Sequence, residues 1–256
     1  MLLDIRHVSK QYRTGIFREK SFLAVDDLSF QIEDGEIFGL IGGSGCGKTT
    51  IARMILGLLK PTAGEILFDG KDLGRLEPRE WKTLRKEIQM VFQNPQMTFN
   101  PRDTVYAACL EPALNYGLVK TKKEKRRMAE SMLEQVGLTK DQFQKYPHEI
   151  SGGQAQRLAV IRALSLNPRL LVCDEPTSML DVSVQAQILN LLQTKYREYG
   201  LAMMLISHDL EVVRHFCDRV GVMQEGRLVE TGTAEEVFEN PKKEYTKTLI
   251  RSCLSF

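Results

Sequence analysis

The stretch EIFGLIGGSGCGKTT, Glu36 to Thr50, decides the fold. Its first part, Glu36 to Gly42, is a short apolar run that ends in glycines, as a buried strand does. The glycine loop GGSGCGKT, Gly42 to Thr49, follows directly and matches the pattern G-x-x-x-x-G-K-[ST]. The next residues, TTIARMILGLL, have apolar side chains at helical spacing. The sequence therefore predicts a loop that joins a buried strand to a helix N-terminus, the context in which this pattern binds phosphate.

The loop has the residue types that bind a nucleoside triphosphate. Glycines let backbone N–H groups close around phosphate oxygens, and the helix N-terminus adds a favourable field. Lys48 is expected to reach the β- and γ-phosphates, and the Thr49 hydroxyl to ligate Mg²⁺. A purely structural glycine turn would not require Lys and Thr at these two places. The predicted nucleotide-binding residues are Gly42, Gly43, Ser44, Gly45, Cys46, Gly47, Lys48, Thr49 and Thr50.

Two adjacent carboxylates follow a second apolar strand in the stretch RLLVCDEPT. Asp174 is placed to bind Mg²⁺ through water. Glu175, one residue further and outside the strand, is the candidate to polarise an attacking water. The alternative is that both are solvated loop residues.

Two further polar residues lie at strand ends: Gln93 ends the strand candidate EIQMVFQ, Glu87 to Gln93, and His208 follows another. The amide of Gln93 could contact both metal and water, and the imidazole of His208 could face the γ-phosphate, although a lone Gln or His is more often structural. All these residues fall at the carboxyl ends of strands, where open α/β sheets place their ligands. The predicted catalytic residues are Glu175, His208, Gln93 and Lys48, and the predicted metal ligands are Thr49, Gln93 and Asp174.

Beyond these strands, the order of apolar patterns predicts an α/β fold. The front of the chain has strand patterns, the segment 94–166 has helices broken by turn residues, and strands alternating with helices return after it. This alternation predicts a largely parallel sheet covered on both faces. The predicted core is 1–93 and 167–256, and 94–166 is a helical insertion.

Composition excludes several classes of protein. The 256 residues are 43% hydrophobic and 27% charged, which is ordinary for a globular chain, and a net charge of +2 gives no support to nucleic-acid binding. Apolar runs are far shorter than the roughly 20 residues that cross a bilayer, and the start lacks a signal peptide's apolar stretch, so we expect a cytosolic protein. The basic run Lys120 to Arg127 is interpreted as a solvated helix face rather than a nucleic-acid or lipid site. Five scattered Cys fit a reduced compartment, and Cys173 is predicted to be buried and inert.

A second glycine turn opens a helix in EISGGQAQRLAVIRAL, Glu149 to Leu164. Taken in order, GGSGCGKTT, MVFQNP, ISGGQAQRLAVIRAL, LLVCDEPTSMLD and LISHD resemble the nucleotide-binding subunit of an ATP-binding cassette (ABC) transporter over essentially the whole chain. The resemblance implies an α/β fold with a P-loop NTPase (RecA-like) core, whose sheet is mixed and largely parallel, and an N-terminal antiparallel β region. It also implies an inserted helical subdomain that carries this turn as the family's signature motif.

In that family two cassettes pack head to tail, so the resemblance implies that the signature turn caps the γ-phosphate held by the other protomer's glycine loop. A Ser-Gly-Gly turn before a helix presents a hydroxyl, unhindered N–H groups and a positive helix end to an anion, although alone it could be only a helix cap. Asp181 matches the loop that crosses the dimer interface, and Tyr12 matches the aromatic residue on which adenine stacks, unless it is an ordinary Tyr. The signature departs from the family at Ile150, where Leu is usual, and Met179 replaces a common Ala. The residues carried over from the signature are Ser151, Gly152, Gly153 and Gln154.

Within the family, FQNPQMTFNPRDTV, PHEISGGQAQR and HDLEVVRHFCDRVGVM resemble the importers of peptides and nickel. The tail NPKKEYTKTLI is similar to that group's tail, in which Pro-Tyr-Thr is usual and Lys243 and Glu244 here precede the Tyr. Peptide-importing members usually continue for tens of residues beyond it, whereas this sequence stops at Phe256. On length alone we favour nickel or a metal chelate as cargo, with a short peptide as the alternative.

The resemblance implies an Mg²⁺-dependent ATPase at the cytoplasmic face of the membrane, bound to two transmembrane permease subunits and a second, identical or homologous cassette. A groove near Gln93 would receive a coupling helix of the permease, and an extracytoplasmic binding protein would recognise the cargo. The alternatives are a soluble cassette ATPase acting on ribosomes or DNA, which usually has two cassettes or a long coiled coil, and a nucleoside kinase, which would lack the signature turn. A non-catalytic cassette would be expected to lose Glu175 or His208.

Overall fold

The structure, a computed structural model, describes residues 1–14, 20–178 and 180–254. Met179, one of the departures from the family pattern, and Phe256, on which the length argument depends, lie outside these ranges. The described strands are β1 (Leu3–Thr14), β2 (Lys20–Ile32), β3 (Ile37–Gly42), β4 (Ala63–Phe68), β5 (Lys71–Asp72), β6 (Ile88–Val91), β7 (Leu170–Asp174), β8 (Ala202–Ile206), β9 (Arg219–Gln224) and β10 (Arg227–Thr233). The described helices are α1 (Lys48–Ile55), α2 (Pro78–Glu87), α3 (Val105–Asn115), α4 (Lys122–Gln135), α5 (Gly152–Leu164), α6 (Val182–Tyr199), α7 (Leu210–Phe216), α8 (Ala234–Glu239) and α9 (Glu244–Leu254).

Strand β3, which leads into the glycine loop, lies inside a sheet of order β10-β9-β3-β8-β7-β6. It pairs in parallel with β8 on one side and β9 on the other, and β10 closes the end antiparallel to β9. Residues 37–41 of β3 and all of β7 and β8 are buried, as expected for parallel strands covered on both faces. The prediction of a mixed, largely parallel sheet is confirmed.

The N-terminal strands form a separate antiparallel sheet of order β2-β1-β4-β5. Strand β1 lies between β2 and β4. Asp69 and Gly70 join β4 to β5, both with positive φ (51° and 74°), and Phe68 pairs with Lys71. Two central residues with positive φ form the turn type that closes two-residue hairpins, which explains why an Asp-Gly pair stands here. The predicted antiparallel β region is therefore confirmed.

By packing, the chain divides into two compact units. The first comprises Met1–Arg85, Val172–Asp174 and Ala202–Phe256, and the second comprises Lys86–Leu171 and Glu175–Leu201. The second unit thus includes α6, which the sequence-based division had assigned to the core. That division, 1–93 with 167–256 and 94–166, remains a prediction.

The second unit has its own apolar core between α3, α4 and α5. Buried side chains from all three helices meet in it, including Cys109, Leu133 and Leu158. The basic run before and within α4 is mostly exposed, and Thr121 caps the helix in a reciprocal pair with Glu124. The prediction that this run lies on the exposed face of a helix is therefore confirmed.

The core of the first unit surrounds its parallel strands. Cys173 on β7 is fully buried, so the prediction of its burial is confirmed, and this burial raises the pKa of its thiol to about 12. Within the described ranges, none of the helices combines the length and apolarity needed to cross a membrane.

Candidate functional site

The glycine loop is in direct contact with neighbouring backbone. A Cβ on Gly42, at φ 149°, would come within 2.2 Å of the carbonyl oxygen of Met223 on β9. A Cβ on Gly47, at φ 108°, would come within 2.4 Å of the carbonyl oxygen of Ala24 on β2. Only glycine fits at these two positions, because no Cβ approaches another atom that closely. The loop is therefore held against two strands on this side.

The opposite side of the loop is open. Ser44 and Gly45 are exposed, and a Cβ on Gly45 would meet no atom within 4 Å. Lys48, the first residue of α1, is buried, and its Nζ donates hydrogen bonds to the carbonyls of Gly42 (2.8 Å) and Gly43 (3.0 Å). The ammonium is thus held beside its own loop, with an open face for an anion next to the helix N-terminus.

Two oxygen donors of the first unit suit Mg²⁺. Thr49 lies in the first turn of α1, and the carboxylate of Asp174 lies at the end of β7, where the residue is only 5% exposed. Mg²⁺ prefers hard oxygen ligands and is usually held by one or two protein oxygens together with substrate phosphates. The chemistry of these residues therefore fits the predicted ion.

In the second unit, the structure brings Glu175 and Gln93 together. Nε2 of Gln93 donates a hydrogen bond to Oε2 of Glu175 over 2.6 Å. Strand β6 ends at Val91, so Gln93 lies two residues beyond the strand that the sequence predicted to end at it. An amide that donates to a carboxylate oxygen fixes the orientation of that carboxylate. A general base needs such a fixed orientation to accept a proton from one particular water molecule.

The backbone of Glu175 is left-handed, with φ 51°. This conformation costs a residue with a Cβ about 1–3 kcal/mol and occurs mainly where the surrounding structure imposes it, often in active sites. The N–H (3.3 Å) and the hydroxyl (3.1 Å) of Ser178 both donate to the Glu175 carbonyl and hold the turn that follows β7.

His208 belongs to the first unit and is exposed. It follows β8 by two residues and precedes Asp209, whose carboxylate accepts the N–H of Val212 and caps α7. The imidazole therefore lies at the carboxyl end of a parallel strand, as predicted.

Ser151 caps helix α5 in the second unit. Its hydroxyl oxygen accepts the N–H of Gln154 (3.3 Å), and the Gln154 side-chain oxygen accepts the N–H of Ser151 (3.0 Å). The N–H groups of Gly152 and Gly153 come first in the helix, so they have no acceptor in the preceding turn. A Cβ on Gly152 would meet nothing within 4 Å, whereas one on Gly153 would lie 3.2 Å from Val184. The turn therefore presents an open, positively polarised surface.

Two other residues named in the sequence analysis, Ile150 and Asp181, have local roles in the second unit. Ile150 is buried in the second unit's core, so the change from the usual Leu preserves an apolar side chain. Asp181 caps α6, and the N–H of Val184 (2.9 Å), with further hydrogen bonds from Ser183, lowers the pKa of its carboxyl. Asp181 is therefore ionised near neutral pH.

Tyr12 lies on β1 in the first unit and is half-buried. The Nζ of Lys10 lies 5.6 Å from the centroid of its ring. A partly exposed aromatic ring of this kind can stack on a base, and its role towards adenine remains a prediction.

Sequence reasoning missed one contact of the glycine loop. The hydroxyl of Tyr245, on α9, accepts a hydrogen bond from the N–H of Gly43 over 2.9 Å. In the sequence, the tail that contains Tyr245 indicated only a similarity to the importers of peptides and nickel. No local pattern links two residues that are 202 positions apart.

Comparisons with known proteins agree with this geometry. The family model described as "ABC transporter" matches residues 25–178. The oligopeptide transport ATP-binding protein OppF of Escherichia coli (strain K12) is 47% identical over 231 residues, which are 90% of this chain and 69% of that protein. The oligopeptide transport ATP-binding protein AppF of Bacillus subtilis (strain 168) is 45% identical over 256 residues, 98% of this chain and 78% of that protein.

Among solved structures, a dimeric ATP-binding cassette in a post-hydrolysis state, bound to ADP and Pi, has a TM-score of 0.83 at 29% identity. The likeness covers 91% of this chain and 99% of that one. Since the family match spans more than half of the sequence and carries both the glycine loop and the adjacent carboxylates, the chain belongs to the ABC transporter family and is one of its ATP-hydrolysing cassettes.

Proposed function

We propose that the chain is the ATP-hydrolysing subunit of an importer of short peptides. The observation that carries the proposal is the identity of 45–47% to two oligopeptide transport ATP-binding proteins over at least 90% of the chain. These relatives do not support the expectation of nickel or a metal chelate, which depended on length alone. We infer that the chain's work is to convert ATP hydrolysis into movement of partner subunits.

Binding begins at the glycine loop. The open face beside Ser44 and Gly45 receives the phosphates, Lys48 supplies a positive charge to the β- and γ-phosphates, and Tyr12 stacks on the adenine. Thr49 and Asp174, with Gln93, would hold Mg²⁺, which when bound neutralises negative charge on the phosphate oxygens. The ammonium of Lys48 suits this role because the carbonyls of Gly42 and Gly43 hold it within the loop that receives the phosphates.

Hydrolysis depends on Glu175. Its carboxylate accepts a proton from the attacking water, and the amide of Gln93 orients that carboxylate through the 2.6 Å hydrogen bond. His208 contacts the γ-phosphate from the end of β8. Charge stabilisation and positioning are the main contributions that a protein makes to phosphoryl transfer, and these residues are this cassette's own share of them.

The second glycine turn acts on another cassette. Ser151 and the N–H groups of Gly152 and Gly153 cap the γ-phosphate held by a partner's glycine loop, and Asp181 lies at the interface between the two cassettes. The solved neighbour with a TM-score of 0.83 is dimeric, which supports this arrangement.

The remaining partners are two transmembrane permease subunits and an extracytoplasmic binding protein that presents the peptide. The chain itself is peripheral to the cytoplasmic face of the membrane. No observation favours the alternative of a cassette ATPase that acts on ribosomes or DNA.

Uptake measurements test the proposal. Cells that contain the whole transporter, with this subunit intact or as Lys48→Ala, are given a radiolabelled dipeptide or, separately, radiolabelled nickel. We expect dipeptide uptake to require Lys48 and nickel uptake to be unaffected. Lys123→Ala, an exposed lysine on α4, is the control and should leave both unchanged. Nickel uptake that requires Lys48, with dipeptide uptake independent of it, would overturn the proposed cargo.

A further inference from the structure

Helix α9 touches the phosphate-binding loop through one polar group. The hydroxyl oxygen of Tyr245 accepts the N–H of Gly43 over 2.9 Å. A Cβ on Gly43 would lie 3.2 Å from that oxygen, so glycine at this position also gives the tyrosine room to approach. The contact lies in the first unit, and Tyr245 is outside the family motifs that bind the nucleotide.

The peptide group that Tyr245 holds is the same one that holds Lys48. The carbonyl of Gly42 and the N–H of Gly43 belong to a single planar peptide. Its carbonyl oxygen accepts Nζ of Lys48 over 2.8 Å, and its N–H donates to Tyr245. Rotation of this peptide would break both hydrogen bonds together. Hydrogen bonds at the two ends of one amide also polarise and strengthen each other.

Helix α9 is fixed where it begins. The Glu230 carboxylate, on β10, accepts the N–H of Lys242 (2.7 Å) and of Lys243 (3.1 Å), the residues that precede the helix. Thr246, next to the tyrosine, is fully buried. The backbone that carries Tyr245 is therefore anchored, so its hydroxyl is held at one position beside the loop.

We propose that Tyr245 is a positioning residue that holds the Gly42–Gly43 peptide in the orientation in which Lys48 and the loop are ready for the phosphates of ATP. A binding site that is already formed binds more tightly than one that is formed only part of the time, in proportion to the formed fraction. Tyr245 thus raises the affinity for ATP without touching the nucleotide, and it leaves the hydrolytic step to Glu175.

The test compares Tyr245→Phe, which removes only the hydroxyl, with Tyr106→Phe, the same change in the second unit. Equilibrium binding of a fluorescent ATP analogue gives the affinity, and ATPase assays on the assembled transporter give KM and kcat separately. We expect Tyr245→Phe to weaken nucleotide binding and raise KM by about three- to tenfold, with kcat within about twofold, since one net hydrogen bond is lost. Tyr106→Phe should change neither.

Hydrogen–deuterium exchange without nucleotide provides a second readout. In Tyr245→Phe, exchange should become faster in peptides that cover the glycine loop and remain unchanged elsewhere in the first unit. Unchanged nucleotide affinity would overturn the proposal, as would weaker affinity accompanied by faster exchange throughout the first unit, which indicates a purely structural role. The binding and exchange measurements need neither peptide cargo nor transport, so failure of the proposed cargo would not affect them.

Discussion

At the scale of single residues, Glu175 and Gln93 carry the proposed chemistry. The left-handed backbone of Glu175 is held by Ser178, and its carboxylate is held by the amide of Gln93. A side chain fixed at both its backbone and its charged end loses little freedom when the reaction begins. Such preorganisation is how a site aligns a base with a water.

Replacement of this carboxylate separates binding from hydrolysis. Glu175→Gln should still bind ATP, because the loop and Lys48 are untouched, and should lose hydrolysis by about the 10²- to 10⁴-fold that a general base contributes. ATPase rates and equilibrium nucleotide binding, measured on the same sample, check both parts. Glu134→Gln, an exposed residue of α4 in the same unit, is the control. Rapid turnover by Glu175→Gln would show that another group acts as the base.

At the scale of elements, Ser151 both caps helix α5 and belongs to its proposed anion site. Ser151→Ala should destabilise the protein by about 1 kcal/mol through loss of the cap. Ser151→Asp retains a good cap, and a negative charge at this end suits the helix dipole, but it places a carboxylate where the partner's γ-phosphate is proposed to lie. We therefore expect Ser151→Asp to keep its stability in urea unfolding and to lose ATPase activity.

A matched cap in the same unit serves as the control for this helix. Thr121→Ala removes the cap of α4 and should cost about 1 kcal/mol while leaving the ATPase activity intact. Full activity of Ser151→Asp would mean that the signature turn only caps its helix.

Helix α9 gives a prediction that depends on pH. Burial favours the neutral form of Glu230, but the N–H groups of Lys242 and Lys243 favour the carboxylate, and the pKa is lowered overall from its ordinary value of 4.5. A lowered pKa means that the folded state prefers the ionised form. This stabilisation is fully present above the ordinary value of 4.5 and is lost as the pH falls through the lowered pKa. Glu230→Gln should therefore melt below the wild type near pH 7, and the gap should narrow below about pH 4.5. A gap in melting temperature that stays constant from pH 7 to acid would contradict this account.

These elements also show what local sequence can predict. The parallel strands, the Asp-Gly hairpin and the capped helices were predictable, because apolar runs, glycines and capping residues are local patterns. The closeness of Gln93 and Glu175, 82 positions apart, followed only from the rule that strand ends meet at one edge of a sheet. The contact between Tyr245 and Gly43 follows from no such rule, since it depends on how α9 packs. The cargo could not be predicted from chain length, because no cargo-binding residue was identified in this sequence.

At the scale of the whole molecule, the residues proposed for one hydrolytic site come from two chains. Lys48 of one protomer and Ser151 of the other would face the same γ-phosphate in a head-to-tail pair. Two copies related by a twofold axis would therefore form two equal composite sites. Each site fails when either of its two contributors is replaced.

A mixing experiment tests this composition directly. Lys48→Ala and Ser151→Asp should each be inactive alone, because every site of such a dimer carries the same defect. In an equal mixture, half of the dimers are mixed, and each mixed dimer has one site with both an intact Lys48 and an intact Ser151. We expect the mixture to recover up to roughly a quarter of the wild-type ATPase rate if the sites act independently. The control, a mixture of Lys48→Ala with Glu175→Gln, should recover nothing, because Glu175 and Lys48 are proposed to act in the same protomer's site. Absence of recovery in the first mixture, with wild-type activity intact, would contradict a site completed by a second copy of this chain.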